Sequence, residues 1–216
     1  MVFEDRYQAG ELLAKKLKKL KLPLQKSVIA AIPRGGVIIA EAIRNSLSIP
    51  IVCIVIKKLG APFNPELAIG ATVSSGPPVI DRWLVADLGV SQDFLKKEII
   101  KKKKEAKARE KLLGQSINNM NFESKFVIVC DDGLATGQTA KAAAKVIRTY
   151  KPAKVILAVP CASPSAIELV KDEYDRVICL VIDENLMAVG QFFKDFRPVE
   201  DREVKEILNH QLTINH

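Results

Sequence analysis

Histidine and long apolar runs are scarce in this sequence, and each scarcity argues against a class of protein. The only histidines, His210 and His216, lie near the C-terminus, which argues against a catalytic core histidine or a histidine-rich metal site. No run of about 18 apolar residues occurs, so no membrane-spanning helix is expected. Residues 1–7 are charged and lack the apolar core of a signal peptide. We therefore expect a cytoplasmic protein.

Cysteine is also sparse. The four cysteines are far apart in the sequence, and no two have the spacing of metal ligands. Three lie inside apolar, strand-like runs and one directly follows such a run; the four are Cys53, Cys130, Cys161 and Cys179. This placement predicts buried, unpaired thiols in a reducing compartment.

Short apolar runs alternate with helical segments along the 216 residues, a length that suits one domain. The alternation predicts an α/β fold in which a parallel sheet of about five strands is flanked by helices. The predicted strands are residues 27–32, 51–56, 126–130, 154–159 and 176–182. The predicted helices are residues 5–20, 37–46, 91–113, 140–148, 164–170 and 199–209.

The stretch from Lys125 to Thr139 organises the rest of the chain. A strand-like run is followed at once by two acids, Asp131 and Asp132, then by a turn of small residues and the start of a helix. The first amides of a helix lack backbone partners and attract anions, and Thr136 and Thr139 add hydroxyl donors. Two carboxylates beside an anion make sense if they bind sugar hydroxyls or face a metal ion or a developing cation. The pattern therefore predicts a site for a ribose phosphate.

This stretch, Val-Ile-Val-Cys-Asp-Asp-Gly-Leu-Ala-Thr-Gly-Gln-Thr, resembles the phosphoribosyl pyrophosphate (PRPP) motif of the type I phosphoribosyltransferases. Residues 64–71 are similar to a string found in an uncharacterised branch of that family. The resemblance implies transfer of ribose 5-phosphate from PRPP to a nucleobase or related nitrogen nucleophile, with release of pyrophosphate, in nucleotide salvage or metabolism. It also implies Mg²⁺, carried largely by PRPP. The family often forms dimers, so a homodimer stays open.

The resemblance assigns the motif residues their roles. Asp131 and Asp132 would act in catalysis, holding the sugar hydroxyls and stabilising positive charge; contact with Mg²⁺ through water stays open, and no direct metal ligand is expected. The 5-phosphate would lie on the turn made by Ala135, Thr136, Gly137, Gln138 and Thr139.

Two further segments are candidates for the pyrophosphate. Arg34, Gly35 and Gly36 follow the first predicted strand, and paired glycines let a ligand approach closely, although a plain strand-to-helix loop is the alternative. Lys57 and Lys58 follow the second predicted strand, at the edge where open α/β sheets bind ligands. Lys58 is the first choice of the two, although exposed lysines are more often simply solvated.

The acceptor stays open. Family members that use 6-oxopurines usually have an acid two positions before the motif's glycine, and this chain has Ala135 there. The pattern is closer to that of adenine-using members, which rely on a separate carboxylate in a mobile loop. Glu66 is a weak candidate for that carboxylate.

Residues 59–113 and 185–216 are expected as appendages of a single domain at residues 1–216. Prolines and glycines favour a hairpin of residues 66–73 and 79–85, which the resemblance makes a mobile cover of the site. The three phenylalanines after the last strand predict either core packing or a hood whose ring stacks on a nucleobase; they are Phe192, Phe193 and Phe196.

Positive charge is concentrated in the predicted helix at residues 91–113. Nine basic and three acidic residues lie between Lys96 and Lys111, in a chain of net charge +8. A solvated helix that protrudes from the core is the plain interpretation; a basic wall that attracts PRPP, or a contact with RNA or DNA, are the alternatives. Without aromatic residues between the charges, base stacking is not supported. A PRPP-binding regulator that contacts nucleic acid therefore stays open but is not favoured, and the intact motif counts against a scaffold without turnover.

Overall fold

The computed structural model describes residues 2–114 and 121–209, and these contain seven α-helices and eight strands. The strands are β1 (Ser27–Ala31), β2 (Ile51–Cys53), β3 (Lys57–Ala61), β4 (Asn64–Thr72), β5 (Val79–Ile80), β6 (Phe126–Cys130), β7 (Lys154–Ala162) and β8 (Arg176–Ile182). The helices are α1 (Arg6–Lys18), α2 (Gly35–Leu47), α3 (Arg82–Asp87), α4 (Gln92–Leu113), α5 (Gln138–Arg148), α6 (Pro164–Val170) and α7 (Asp201–Asn209). His210 and His216 lie outside the described residues.

A five-stranded parallel sheet forms the centre of the fold, in the order β2–β1–β6–β7–β8. Its strands are buried on both faces: Ile29 of β1 and Ile128 of β6 pack with α1, α2 and α7, whereas Val28 and Val127 pack with α5 and α6. Apolar runs without alternation are typical of such doubly covered strands. The predicted fold class is therefore confirmed.

A second, antiparallel sheet of β3, β4 and β5 carries its own small core. Leu59, Ile69 and Leu95 are buried there between the hairpin strands, α3 and α4. The predicted strand at residues 51–56 is corrected, because β2 ends at Cys53 and residues 57–61 pair with β4 instead. The predicted second strand of the hairpin, residues 79–85, is also corrected, because β5 ends at Ile80. The side chain of Asp81 then accepts a hydrogen bond from the backbone amide of Leu84 at 3.0 Å and caps the start of α3.

The basic helix α4 packs against the rest of the molecule, which corrects the expectation that it protrudes. The hydroxyl of Ser91 caps the helix by accepting a hydrogen bond from the backbone amide of Phe94. The buried residues of α4 face β3, β4 and α7. Glu110 of α4 is buried, and its carboxylate accepts a hydrogen bond from the hydroxyl of Ser74, which lies 2.8 Å from Oε1 and 2.7 Å from Oε2. Only the outer side of α4 presents lysines to solvent; the exposed ones are Lys96, Lys97, Lys101, Lys104, Lys107 and Lys111.

The cysteines agree with their prediction as unpaired, mostly buried residues. All four are free thiols, and Cys53, Cys130 and Cys161 are buried. Burial raises the pKa of Cys53 and of Cys161 to about 12, which disfavours the reactive thiolate at neutral pH. Within the described ranges, none of the helices is both long and apolar enough to cross a membrane.

Candidate functional site

The candidate site lies where β1 and β6 end side by side. These neighbouring strands run in parallel, with Ala31 opposite Cys130 at their carboxyl ends. The chain leaves β1 toward β2 and leaves β6 toward β7, on opposite sides, which opens a crevice between the two loops. A cleft of about 360 Å³ occupies this place. It is lined by Arg6, Ile32, Pro33, Arg34, Gly35, Asp131, Asp132, Thr139, Phe196, Pro198 and Val199.

Both predicted acids line the cleft. The backbone amide of Asp132 donates to Oδ1 of Asp131 at 2.9 Å. Oδ2 of Asp132 accepts a hydrogen bond from Nε of Arg6 at 2.8 Å. Burial and the neighbouring carboxylate of Asp132 raise the pKa of Asp131 well above its ordinary value, although the Asp132 amide and Arg6 act in the opposite direction. The acids are therefore a closely spaced pair with one guanidinium as counter-ion.

The turn after the acids leads into an open helix N-terminus. Gly137 has a φ of +72°, a conformation that favours glycine, and α5 begins at the next residue. Ser163 donates from its hydroxyl to the carbonyl of Ala135 at 2.9 Å, which fastens the turn to the end of β7. Thr136 and Thr139 are exposed at this end of α5. The turn therefore presents amides and hydroxyls to solvent, as an anion site requires.

The loop after β1 approaches the acids closely. A side-chain carbon added at Gly35 would lie 1.9 Å from Oδ2 of Asp132, and one at Gly36 would lie 2.5 Å from the carbonyl oxygen of Cys130. Arg34 is exposed, follows a cis peptide bond from Pro33, and lies 3.8 Å from Asp201 of α7. Arg34 and Gly35 line the cleft, whereas Gly36 packs against the end of β6.

The two predicted lysines lie elsewhere. Lys57 and Lys58 open β3 of the hairpin sheet rather than ending a strand of the central sheet. The Nζ of Lys57 lies 3.9 Å from Glu105 of α4. Lys58 lines a separate cleft beside α5, and Gln138 lines this second cleft as well. Glu66, in β4, is exposed and does not line the cleft with the acids.

One side chain of the site, that of Arg6, was missed by the sequence analysis. Arg6 of α1 is 8% exposed and reaches Asp132 from the start of the chain. Its guanidinium carbon lies 3.7 Å from the ring centroid of Phe196, in the hood segment (residues 185–198). Phe193 stacks on the same ring at 5.1 Å and 29°. The guanidinium carbon of Arg6 also lies 6.0 Å from the ring centroid of Phe193, so the three side chains form one cluster. The sequence suggested either core packing of the phenylalanines or a hood whose ring stacks on a nucleobase, and it did not indicate the contact with Arg6.

A phosphoribosyl transferase domain model matches residues 4–192 of the chain. The chain belongs to the phosphoribosyltransferase family. The match includes the motif at residues 125–139 and the loop at residues 34–36, so the resemblance seen in the sequence is confirmed.

Relatives with similar sequence and structure agree with this assignment. The chain is 34% identical over 210 residues to "Putative phosphoribosyl transferase Rv0571c" of Mycobacterium tuberculosis, which covers 96% of this chain and 46% of that protein. The chain thus spans about half the length of the curated relatives it matches. TT1426 from Thermus thermophilus has 33% identity and a TM-score of 0.89, with 97% of this chain and 99% of that chain covered. AQ2163 from Aquifex aeolicus, at 15% identity, has a TM-score of 0.52 over 86% of this chain and 78% of that one, and it shares the fold alone.

Proposed function

We propose that the chain transfers ribose 5-phosphate from PRPP to a nucleobase or related nitrogen nucleophile and releases pyrophosphate. One observation carries the proposal: Asp131 and Asp132 lie in one cleft with the loop at Arg34, beside the open N-terminus of α5. An acid pair between two anion-binding backbones matches a ligand with a sugar at its centre and phosphates at its ends. PRPP is such a ligand.

The turn at residues 135–139 would hold the 5-phosphate. The first amides of α5 lack intrahelical partners and its dipole favours negative charge there. Thr136 and Thr139, both exposed, would donate hydroxyl hydrogen bonds to the same oxygens. Ala135, Gly137 and Gln138 would contribute their backbone amides, so none of their side chains needs to carry a charge. No base is needed at this end of the ligand, because the phosphate is bound and not transformed.

The acids would act on the ribose. Asp132 would accept a hydrogen bond from a sugar hydroxyl, and the pair would stabilise the positive charge that develops at the anomeric carbon as pyrophosphate departs. Asp131 would lie beside this charge; burial and the carboxylate of Asp132 raise its pKa, which disfavours its ionised form. Arg34, with the amides at Gly35 and Gly36, would meet the leaving pyrophosphate.

Lys57 and Lys58 remain predicted pyrophosphate contacts that would need the hairpin to move. They are the first two residues of β3, the hairpin strand that follows β2 of the central sheet in the chain. Neither lines the cleft with the acids, and the interaction of Lys57 with Glu105 is a weak, half-exposed ion pair. We propose that closure of the hairpin over bound PRPP brings Lys58 to the pyrophosphate.

The residues present fit Mg²⁺ that arrives with the substrate. Asp131 and Asp132 offer hard oxygen donors, which Mg²⁺ prefers, and within the part of the chain that the structure describes no cluster of three or more acidic, histidine or cysteine ligands is found. Two carboxylates would therefore add to ligands supplied by PRPP and water. When bound, Mg²⁺ would neutralise charge on the pyrophosphate.

A second candidate function is regulatory binding of PRPP coupled to nucleic acid. The six exposed lysines on the outer side of α4 favour it, because a row of unburied cations attracts a phosphate backbone. The inner basic residues of α4 are engaged internally: Lys102 with Glu105 at 3.1 Å, and Arg109 with Asp201. Binding to RNA or DNA that weakens steeply with salt, and that depends on the outer lysines, would support this function.

Pyrophosphate release tests the enzymatic proposal. The chain is mixed with PRPP, Mg²⁺ and each of a panel of purine and pyrimidine bases, and is compared with the Asp131→Asn/Asp132→Asn double variant. Release that requires one base and is lost in the variant supports the transferase and identifies its acceptor. PRPP binding without base-dependent release favours the regulator, and absence of PRPP binding refutes both.

A further inference from the structure

Arg6 is a nearly buried arginine at the first position of α1. Asp5 caps this helix by accepting the amide of Gln8 at 2.8 Å, so the position of Arg6 is fixed by the helix start. The side chain of Arg6 is 9% exposed and that of its partner Asp132 is 19% exposed. A charge this far from water requires strong partners, because its desolvation is otherwise unfavourable.

The partners of Arg6 come from two segments distant in sequence. Its Nε donates to Oδ2 of Asp132 at 2.8 Å, and its Nη1 donates to the carbonyl of Arg197 at 3.0 Å. The guanidinium lies over the ring of Phe196, with 3.7 Å from Cζ to the centroid. Arginine combines a planar fork of donors with a flat face that stacks, and this geometry uses both. A lysine at this position could not make these hydrogen bonds and also stack a flat face on Phe196.

We propose that Arg6 is a positioning residue that fixes the carboxylate of Asp132 for the sugar hydroxyls of PRPP. This inference rests on the proposed function. Arg6 engages one of the two carboxylate oxygens through Nε, and an ionised carboxylate retains acceptor sites for a hydroxyl. Its positive charge also offsets the repulsion between Asp131, Asp132 and an anionic substrate. Phe196 acts in this arrangement as a platform for Arg6.

A matched pair of variants tests the role. Arg44 is a suitable control, because its side chain is 12% exposed, it donates to the carbonyl of Ile207 at 3.1 Å and it lies 3.5 Å from a carboxylate oxygen of Glu41, outside the cleft. Binding of PRPP with Mg²⁺ is measured by calorimetry for the wild type, Arg6→Ala and Arg44→Ala, alongside thermal unfolding. We expect Arg6→Ala to weaken PRPP binding by at least about tenfold, the loss typical of a charge-assisted hydrogen bond, and Arg44→Ala to leave it within about twofold.

Chemical rescue separates positioning from structural support. Ethylguanidinium at millimolar concentration, far below denaturing levels, should restore part of the PRPP affinity of Arg6→Ala and should not change that of Arg44→Ala. Should Arg6→Ala fail to fold, Arg6→Lys replaces it: this variant keeps the charge without the fork, and we expect PRPP binding at least about fivefold weaker than in the wild type. Phe196→Leu should weaken PRPP binding in the same direction, since it removes the platform.

Each outcome decides the matter. Wild-type affinity in Arg6→Lys, or equal losses in Arg6→Ala and Arg44→Ala without rescue, would overturn the positioning role and leave the proposed function standing. Unchanged PRPP affinity in Phe196→Leu would also count against it, because the ring would then serve the acceptor rather than Arg6. A wild-type chain that binds no PRPP removes the proposed function, and with it this role of Arg6.

Discussion

Gly35→Ala should damage the candidate site more than it damages the fold. The added methyl group would lie 1.9 Å from Oδ2 and 2.4 Å from Cγ of Asp132, and 2.9 Å from Nε of Arg6. The carboxylate would have to move by about 1.1 Å to reach even a 3.0 Å contact, a separation that carbon atoms of this kind rarely undercut. Such a shift breaks the 2.8 Å hydrogen bond between Asp132 and Arg6.

The expected magnitudes follow from this displacement. Overpacking of this kind costs about 1–3 kcal/mol of unfolding free energy, which lowers the Tm of a chain of this size by about 3–9 °C. Misplacing a binding group by about 1 Å can reduce activity by about 100-fold. PRPP binding and base-dependent pyrophosphate release should therefore fall by about 10- to 100-fold, although most of the protein remains folded at 25 °C.

The control is a substitution of similar energetic cost far from the cleft. Ile147→Val removes one buried methyl group from α5 and should cost about 1 kcal/mol with PRPP binding unchanged. Gly36→Ala should destabilise more than Gly35→Ala, since its clash is with the backbone carbonyl of Cys130, which cannot rotate away. Calorimetric titration with PRPP and thermal unfolding by circular dichroism measure both quantities. Wild-type PRPP affinity in Gly35→Ala would refute the close approach of this loop to Asp132.

Three further substitutions probe the electrostatics and packing around the cleft. Because the native pKa of Asp131 is raised, folding stability falls as pH rises from about 4 toward that pKa. Asp131→Asn should remove this loss, so the Tm of the variant should exceed that of the wild type near neutral pH, and the difference in Tm should shrink in acid. A difference in Tm that does not depend on pH would contradict this reasoning. Asp201→Asn removes a carboxylate 3.8 Å from Arg34 and should tighten pyrophosphate binding about two- to fivefold at low salt, an effect that should fade at high salt and that calorimetry at two ionic strengths would measure. Tyr174→Phe deletes a buried hydroxyl that donates to the carbonyl of Ala140 at 2.6 Å, and chemical denaturation should report a loss of about 1–2 kcal/mol; no loss would show that water replaces the bond.

The sequence was most informative where one local rule decided the structure. The strands at Phe126–Cys130 and Arg176–Ile182 and the helix at Pro164–Val170 occur at the predicted residues. The first two are apolar runs bounded by charged residues, and the helix follows Ser163, whose hydroxyl accepts the amide of Ala166 at 3.0 Å. In each case the signal lies within about ten residues, so no distant contact is needed to locate the element.

The hairpin region shows where local patterns fail. Residues 51–58 form one continuous run of six apolar residues and two lysines, and nothing in the run marks the break after Cys53. The break exists because residues 57–61 find antiparallel partners in β4 rather than a parallel partner in the central sheet. Pairing of this kind depends on a strand that comes later in the chain. The prediction that Lys57 and Lys58 lie at the end of a strand of the central sheet was wrong for that reason.

The two sides of the cleft differ in the same way. The motif at residues 125–139 is continuous, so its acids, turn and helix start could be recognised together. The opposite side is assembled from two segments far apart in the chain: the amide of Phe3 donates to the carbonyl of Phe192 at 2.7 Å, and the amide of Lys194 donates to the carbonyl of Phe3 at 2.9 Å. This short pairing brings α1 beneath the hood and Arg6 to Phe196, a residue 190 positions away. An arginine at the start of an amphipathic helix resembles any solvated charge until that pairing is known. The acids and the start of α5 could therefore be predicted from the sequence, whereas the side of the cleft formed by Arg6 and Phe196 becomes apparent only in the fold.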